Sequence, residues 1–212
     1  MPAPSDPCKL GLALVLFASV PAAAWGPSYW VRAVPQDTAE TEVRDVLAKN
    51  AFGGAAASAP ALRRVSEKYP GTVASGLAHL GAGLLLLDAG NAPDAIADLR
   101  HPDVRLTSVA DHALLALAQA LEAVRDPGAA QAYLAAVDER PGGPLACAAL
   151  FRAADLLAKG PEPPKAIDVL TRTLDACPDQ RAHALLDMAA LYESGRNLKA
   201  AAETYDLSLI HI

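Results

Sequence analysis

The residues of this chain that are able to do chemistry are scattered along it. The five histidines stand at positions 79, 101, 112, 183 and 211, and no two of them form a His-x3-His pair. A Cys-x2-Cys pair is also missing from the sequence. These are the spacings typical of protein metal centres. We therefore predict no metal ligands and no bound cofactor.

The carboxylates do not form a catalytic pattern either. Glycoside hydrolysis needs two carboxyl groups placed in one cleft, whereas the acidic residues here fall at predicted helix ends and outer helix faces. Glu193 and Ser194 are adjacent at one such helix end, where a carboxylate is simply solvated. The sequence has no G-x-S-x-G, G-x-G-x-x-G or phosphate-loop motif. We predict no catalytic residue.

Two of the three cysteines could form a disulfide bond. Cys147 lies near the start of one predicted helix, and Cys177 lies at the end of the next, 30 residues later. In an antiparallel helix pair these two ends are neighbours, so a bridge is feasible in an oxidising compartment. It would add about 3 kcal/mol by the loop-entropy estimate. The alternative is two buried free thiols.

One helix carries two polar residues on an otherwise apolar face. His112 and Gln119 are seven residues apart, which is two helical turns. They could line the inner surface of a superhelix and touch a ligand there. The alternative is that both side chains face solvent or satisfy local hydrogen bonds.

The composition predicts that helices position these residues. Alanine (48) and leucine (31) supply 37% of the 212 residues, while valine and isoleucine number 17 and aromatic residues make up 5%. Alanine and leucine are strong helix formers, and strands need β-branched and aromatic residues. The formal charge of −6 offers no basic field for a nucleic acid. An all-α protein is predicted.

The helices follow a regular repeat. Four turn-and-helix segments each carry an alanine near the helix start, namely Ala95, Ala130, Ala166 and Ala200, with spacings of 35, 36 and 34 residues. This is the tetratricopeptide period, in which each unit is one antiparallel helix pair and small residues let the helices approach closely. We predict a tetratricopeptide-like right-handed α-solenoid of about four helix pairs over residues 61–206. The alternative is an irregular helical bundle.

The start of the chain resembles an export signal. Lys9 precedes an apolar run, Leu10 to Val20, and an A-x-A cleavage site stands before Trp25. We predict a cleaved signal peptide over residues 1–24, a periplasmic location and no membrane span in the mature protein. A buried helix or an uncleaved anchor is the alternative. Residues 25–60 are expected to be irregular, with one short helix ending near Ala48 and a small-residue linker over 53–60.

The end of the chain departs from the repeat. The last unit does not reach its expected proline, and residues 207–212 close the sequence as LSLIHI. The letters SLIHI resemble a translated sequencing adapter, so we expect a truncated fragment with a non-native tail. A genuine apolar tail that docks on a neighbour is the alternative.

A family resemblance adds to the repeat. Ala110-Asp111-His112-Ala113, the LAQAL run 117–121 and Gly143-Pro144-Leu145 resemble the helical N-terminal region of bacterial soluble lytic murein transglycosylases, over about residues 60–206. His112 stands where that family favours an aromatic residue, and Gly143 where it favours a small polar one. The resemblance implies a parent enzyme that cleaves peptidoglycan with a C-terminal catalytic domain, which is absent from this sequence.

Two functional hypotheses follow. In the first, the chain is the non-catalytic scaffold of a periplasmic lytic transglycosylase and positions the missing catalytic domain or the glycan strand. In the second, it is a stand-alone periplasmic tetratricopeptide adaptor that binds a protein or peptide partner. The sequence downstream of Tyr205 in the intact gene would distinguish them.

Overall fold

A computed structural model describes the backbone of residues 27–49 and 54–210, with side chains for 38–49 and 58–209. The predicted signal peptide lies outside these residues. All regular elements in the described ranges are helical. They are α1 Pro27–Lys49, α2 Gly54–Lys68, α3 Val73–Asp88, α4 Ala92–Leu99, α5 Ala110–Ala123, α6 Ala129–Glu139, α7 Ala146–Lys159, α8 Pro163–Ala176, α9 Arg181–Ser194 and α10 Leu198–Ile210, with short 3-10 helices at Pro102–Leu106 and Pro178–Gln180.

The helices pack in sequence order as pairs. A boundary between two structural units falls after Asp37, and the helix pairs all lie in the unit that begins at Thr38. There α3 packs on α4, α5 on α6, α7 on α8 and α9 on α10, and each pair also packs on the next. Helix α2 covers the outer side of α3. This arrangement is a tetratricopeptide-like α-solenoid, as the repeat predicted.

The buried alanine of each second helix marks the repeat, and the structure corrects its last position. Asn91 caps α4, and the Ala95 amide donates to the Asn91 carbonyl; the Ala201 amide makes the same bond to Asn197 in α10. Ala201 is therefore the equivalent of Ala95, and Ala200 lies one residue too early and is less buried. The corrected register places Ala95, Ala130, Ala166 and Ala201 at spacings of 35, 36 and 35 residues.

The first helix of each pair also carries a small residue at the point where it crosses the second helix. A Cβ atom on Gly83 of α3 would lie 2.5 Å from Cγ of Leu99 in α4. In the same register α5, α7 and α9 carry a small buried residue, and these are Ala118, Ala154 and Ala189. Close helix pairs therefore demand small residues on both partners, which explains the alanine content.

The N-terminal region is more helical than the sequence predicted. Helix α1 spans 23 residues, where a short helix was expected. Helix α2 begins at Gly54, inside the predicted linker, and carries Pro60 within it. Its alanines favour the helix, and Ala59 and Leu62 bury their side chains in the core. Tertiary packing thus overrides the Gly and Pro signals.

The C-terminal residues continue α10 to Ile210. Ser208 is buried, while Leu207 and Leu209 are 50% and 68% exposed. That residues 207–212 form a non-native tail stays a prediction. Among the residues that the structure describes, no helix is both long enough and apolar enough to cross a membrane.

Candidate functional site

The first helices of successive pairs present a shared surface. Arg152 of α7 donates to Glu122 of α5, and the ring centroids of Phe151 and His183 lie 4.9 Å apart across α7 and α9. These contacts place α5, α7 and α9 side by side. We call the solvent-facing side of these three helices the first-helix surface.

His112 and Gln119 are both exposed on α5, as a groove-lining role requires. Between them lies Leu115, which is partly buried. The repeat register aligns Leu115 with Phe151 and Leu186, at spacings of 36 and 35 residues. The first-helix surface therefore carries an apolar row across three helices, with polar residues beside it. Whether His112 and Gln119 touch a ligand stays a prediction.

A charged cluster joins α5, α6 and α7. The guanidinium of Arg152 and the Tyr133 hydroxyl both donate to Glu122. The bond from Arg152, strengthened by the bond from Tyr133, holds the pKa of Glu122 below its ordinary value although burial opposes it. Burial and the bond to Glu122 raise the pKa of Tyr133 to about 12. The cluster fixes how neighbouring pairs stack.

Cys147 and Cys177 form a disulfide bond in the structure, with Cα atoms 5.8 Å apart. Cys147 lies in the first turn of α7, and Cys177 directly follows α8. The bond joins the two ends of one pair, which is the placement that made a bridge feasible; the alternative of two free thiols is not what the structure contains.

The two preceding pairs have a contact at the same place. In the α5–α6 pair, Arg140 lies 3.2 Å from the buried carboxylate of Asp111. In the α3–α4 pair, the Ser75 hydroxyl donates to Asp103 at 2.6 Å. We call these two contacts and the disulfide the closing contacts, because each joins the start of a first helix to the chain after its second helix.

A polar cleft of about 530 Å³ opens between α2 and α4, and Ser75 and His79 of α3 line it. Arg63 of α2 donates from Nε and Nη2 to the carboxylate of Asp98, at 2.7 Å for the shortest contact. Nδ1 of His79 lies 3.0 Å from the same carboxylate. The ring of His101 stacks on His79 with centroids 3.8 Å apart. Asp98 thus joins three consecutive helices.

The electrostatics of the cleft keep the Asp98 carboxylate ionised. Burial raises the pKa of Asp98, but the bonds from His79 and Arg63 outweigh it and hold the pKa below its ordinary value. Asp98 is therefore ionised at neutral pH, so Nδ1 of His79 must carry the shared proton. In the neutral imidazole, Nε2 is then an acceptor.

Asp98 and Asp111 lie at helix ends, as predicted for the acidic residues, but their side chains are buried rather than solvated. Both side chains are 4% exposed. Burial opposes the ionisation of Asp111, and the bond from His112 together with the charge of Arg140 holds its pKa below the ordinary value.

The His79–Asp98 pair was missed because its spacing of 19 residues matches no motif. The repeat register does reveal it. His79 aligns with buried leucines in the three later pairs, which are Leu114, Leu150 and Leu185, and Asp98 aligns with Tyr133, Val169 and Thr204. The signal for the pair is a polar residue at a repeat position that holds leucine in the other helix pairs. Within the described part of the chain, no group of three or more His, Cys, Asp or Glu side chains could hold a metal ion.

Comparison with known proteins supports the fold. Solved structures of MamA match with TM-scores of 0.58 and 0.61 at 20% identity, covering 77% and 82% of this chain and 91% of each of theirs. The structure of YrrB, described as a TPR protein with an unusual peptide-binding site, matches with a TM-score of 0.59 at 15% identity over 85% of this chain and 91% of its own. No protein-family model matches the chain, and no curated protein sequence matches it.

Proposed function

We propose that the chain is a helical-repeat scaffold that binds a segment of a partner protein on its first-helix surface. The observation that carries this proposal is the apolar row Leu115, Phe151 and Leu186, which the repeat register aligns across three adjacent helices. Leu186 is 41% exposed, so the row remains accessible on the last of the three helices. Solenoids use such extended surfaces for binding.

The flanking residues indicate the kind of segment that binds. His112 and Gln119 lie beside the row on α5, and Asp155 aligns with Gln119 one unit later. An extended or helical segment with apolar side chains at its centre and hydrogen-bonding groups at its edge fits this pattern. The description of YrrB as a peptide-binding TPR protein supports the same use of the fold.

The binding test begins with peptide selection on the purified chain. Peptides enriched from a random library are measured by calorimetry against wild type and two variants. Leu186→Asp places a charge on the apolar row. Leu106→Asp is the matched control, because Leu106 is 50% exposed and lies in the 3-10 helix away from the row. We expect Leu186→Asp to weaken binding by about tenfold or more and Leu106→Asp to change it little. Equal losses in both variants would overturn the proposal.

A narrower form of this proposal comes from the sequence resemblance alone. In that form the chain scaffolds a periplasmic lytic transglycosylase and guides the peptidoglycan strand or positions a catalytic domain. The test is co-sedimentation of the chain with purified cell-wall sacculi. Binding that a soluble glycan fragment competes away would support it; recovery of the chain in the supernatant would leave only the protein-binding scaffold.

The periplasmic location is part of the same proposal. The predicted signal peptide over residues 1–24 and the disulfide between Cys147 and Cys177 support it. Sequencing the N-terminus of the protein recovered from its native host tests it: a start near Trp25 supports export, and a start at Met1 contradicts it.

A further inference from the structure

The cleft between α2 and α4 has features that the solenoid does not need. We propose that this cleft binds a positively charged N–H donor, an ammonium or guanidinium group on an alkyl chain. This site is separate from the first-helix surface, so it stands or falls independently of the proposed scaffold function.

His79 occupies a repeat position that is apolar in the other helix pairs. Leu114, Leu150 and Leu185 show that leucine fills the position of His79 in the other pairs. Replacing a buried ion pair with apolar residues of similar size is often neutral or stabilising. Stability alone therefore does not account for His79 and Asp98, and a role in the cleft does.

Nε2 of His79 is open to the cleft as a hydrogen-bond acceptor. Nδ1 of His79 lies 3.0 Å from the Asp98 carboxylate, so in the tautomer with its proton on Nδ1 the ring keeps a lone pair on Nε2. No contact from the described residues occupies this nitrogen, and no described buried side-chain nitrogen lacks a partner. Nε2 is therefore reached from the cleft, which His79 lines. A ligand N–H group can donate to it.

The lining of the cleft carries more negative than positive charge. Among the described residues that line the cleft, four carry carboxylates and one, Arg63, carries a guanidinium. Asp98 is neutralised by Arg63, and Asp103 accepts bonds from Ser75 and the Gly71 amide. The exposed carboxylates of Glu67 and Asp94 remain at the rim. They repel an anion and attract a cation.

The cleft has the volume and the apolar wall to hold an alkyl chain. A volume of about 530 Å³ exceeds that of a lone ammonium group and suits a ligand with several carbon atoms. Pro70 and Ala97 supply apolar wall, against which an alkyl chain packs while its charged end reaches the rim carboxylates. A lysine or arginine side chain of a partner protein and a free alkylamine share this chemistry.

The test is an NMR titration of the full chain, following the ring signals of His79 and His101. The probes are N-acetyl-lysine methylamide and its uncharged analogue N-acetyl-norleucine methylamide, which lacks the terminal ammonium group. We expect saturable shifts with the lysine derivative and binding about tenfold or more weaker for the norleucine derivative. Equal affinity for the two probes, or no saturable shift with lysine, overturns the proposal.

A third probe, n-butylamine, separates the two sources of the ligand. Binding equal to that of the lysine derivative supports a site for free amines. Weaker binding of butylamine supports a site for a side chain presented on a peptide backbone.

Variants make the assignment residue-specific. His79→Leu restores the residue of the other pairs, so the variant should fold and lose most of the binding. Glu67→Gln removes one rim charge and should weaken the lysine derivative several-fold. Glu162→Gln is its matched control, because Glu162 lies at the separate cleft between α6 and α8. Wild-type affinity in His79→Leu, or equal losses in Glu67→Gln and Glu162→Gln, overturns the proposal.

Discussion

The α3–α4 pair and the α7–α8 pair occupy the same repeat register with opposite chemistry. His79 and Asp98 face each other in the first, and Leu150 and Val169 hold the corresponding positions in the second. The closing contact is a hydrogen bond between Ser75 and Asp103 in the first pair and a disulfide in the second.

The backbone of the repeat is therefore the same whether these two positions hold a polar pair, His79 and Asp98, or apolar residues. The polar pair is tolerated because each buried group has a partner: Asp98 accepts from Arg63 and His79. The apolar pair needs no such neighbours. The two pairs should therefore respond differently to the same substitution.

The largest effect is expected from a histidine in the apolar pair. Leu150 is fully buried, and the aligned Val169 offers no carboxylate to receive an imidazole N–H. Leu150→His should lower the free energy of unfolding by about 3–5 kcal/mol, because apolar contacts are lost and a polar ring is buried without a partner. Urea denaturation followed by circular dichroism measures it. A loss below about 1 kcal/mol would contradict the comparison.

Removal of the disulfide should have the next largest effect. The bond closes a separation of 30 residues, for which the loop-entropy estimate gives about 3–4 kcal/mol. The double variant Cys147→Ser, Cys177→Ser should lose this stability at pH 7. Reductant should destabilise wild type by the same amount and leave the double variant unchanged. A denaturation midpoint of wild type that is insensitive to reductant would show that the bond contributes nothing.

The reverse exchange in the polar pair should be mild. His79→Leu combined with Asp98→Val makes this pair resemble α7–α8, and Arg63, whose side chain is 39% exposed, can be solvated without its partner. We expect stability at pH 7 to be unchanged or higher by about 1–2 kcal/mol. Urea denaturation checks this, and a loss above about 2 kcal/mol would show that the polar pair is needed for folding.

The same double variant should be less sensitive to acid. Bonds to Asp98 hold its pKa below the ordinary value in the folded chain. Its contribution is therefore present above the unfolded pKa of about 4 and is lost as pH falls through the folded pKa. Melting temperatures measured from neutral pH to about pH 3 should fall more steeply in wild type than in the variant. Parallel curves would contradict the assignment.

The smallest effect concerns Tyr133, which aligns with Asp98 and Val169. Its pKa is raised to about 12, so its contribution is present below pH 10, the ordinary tyrosine value, and is lost as pH rises through about 12. Ultraviolet titration at alkaline pH should show tyrosine ionisation that extends to about pH 12, and Tyr133→Phe should remove this latest part. A titration in which all tyrosines ionise near pH 10 would contradict it.

The sequence was sufficient for those features that follow from spacing. The period of the buried alanines predicted the helix pairs, and the antiparallel pair brought Cys147 and Cys177 together. The helix ends were less predictable. The repeat period alone does not decide between Ala200 and Ala201, because both are alanines. The Asn197 cap distinguishes their positions.

The polar cleft could not be predicted from motifs, because its residues meet through packing. Arg63 lies 35 residues from Asp98, on a helix whose start the sequence placed incorrectly. Once the register is known, however, His79 stands out against three leucines in the same position. Comparing repeats within one chain therefore finds polar exceptions that a search for local patterns does not.

The three closing contacts also determine how the solenoid responds to its surroundings. A reducing agent acts on the bond between Cys147 and Cys177, while added salt screens the ion pair between Arg140 and Asp111. The Ser75–Asp103 hydrogen bond is sensitive to acid instead, since Asp103 accepts it as a carboxylate. Redox state, ionic strength and pH therefore each act on the closing contact of a different helix pair.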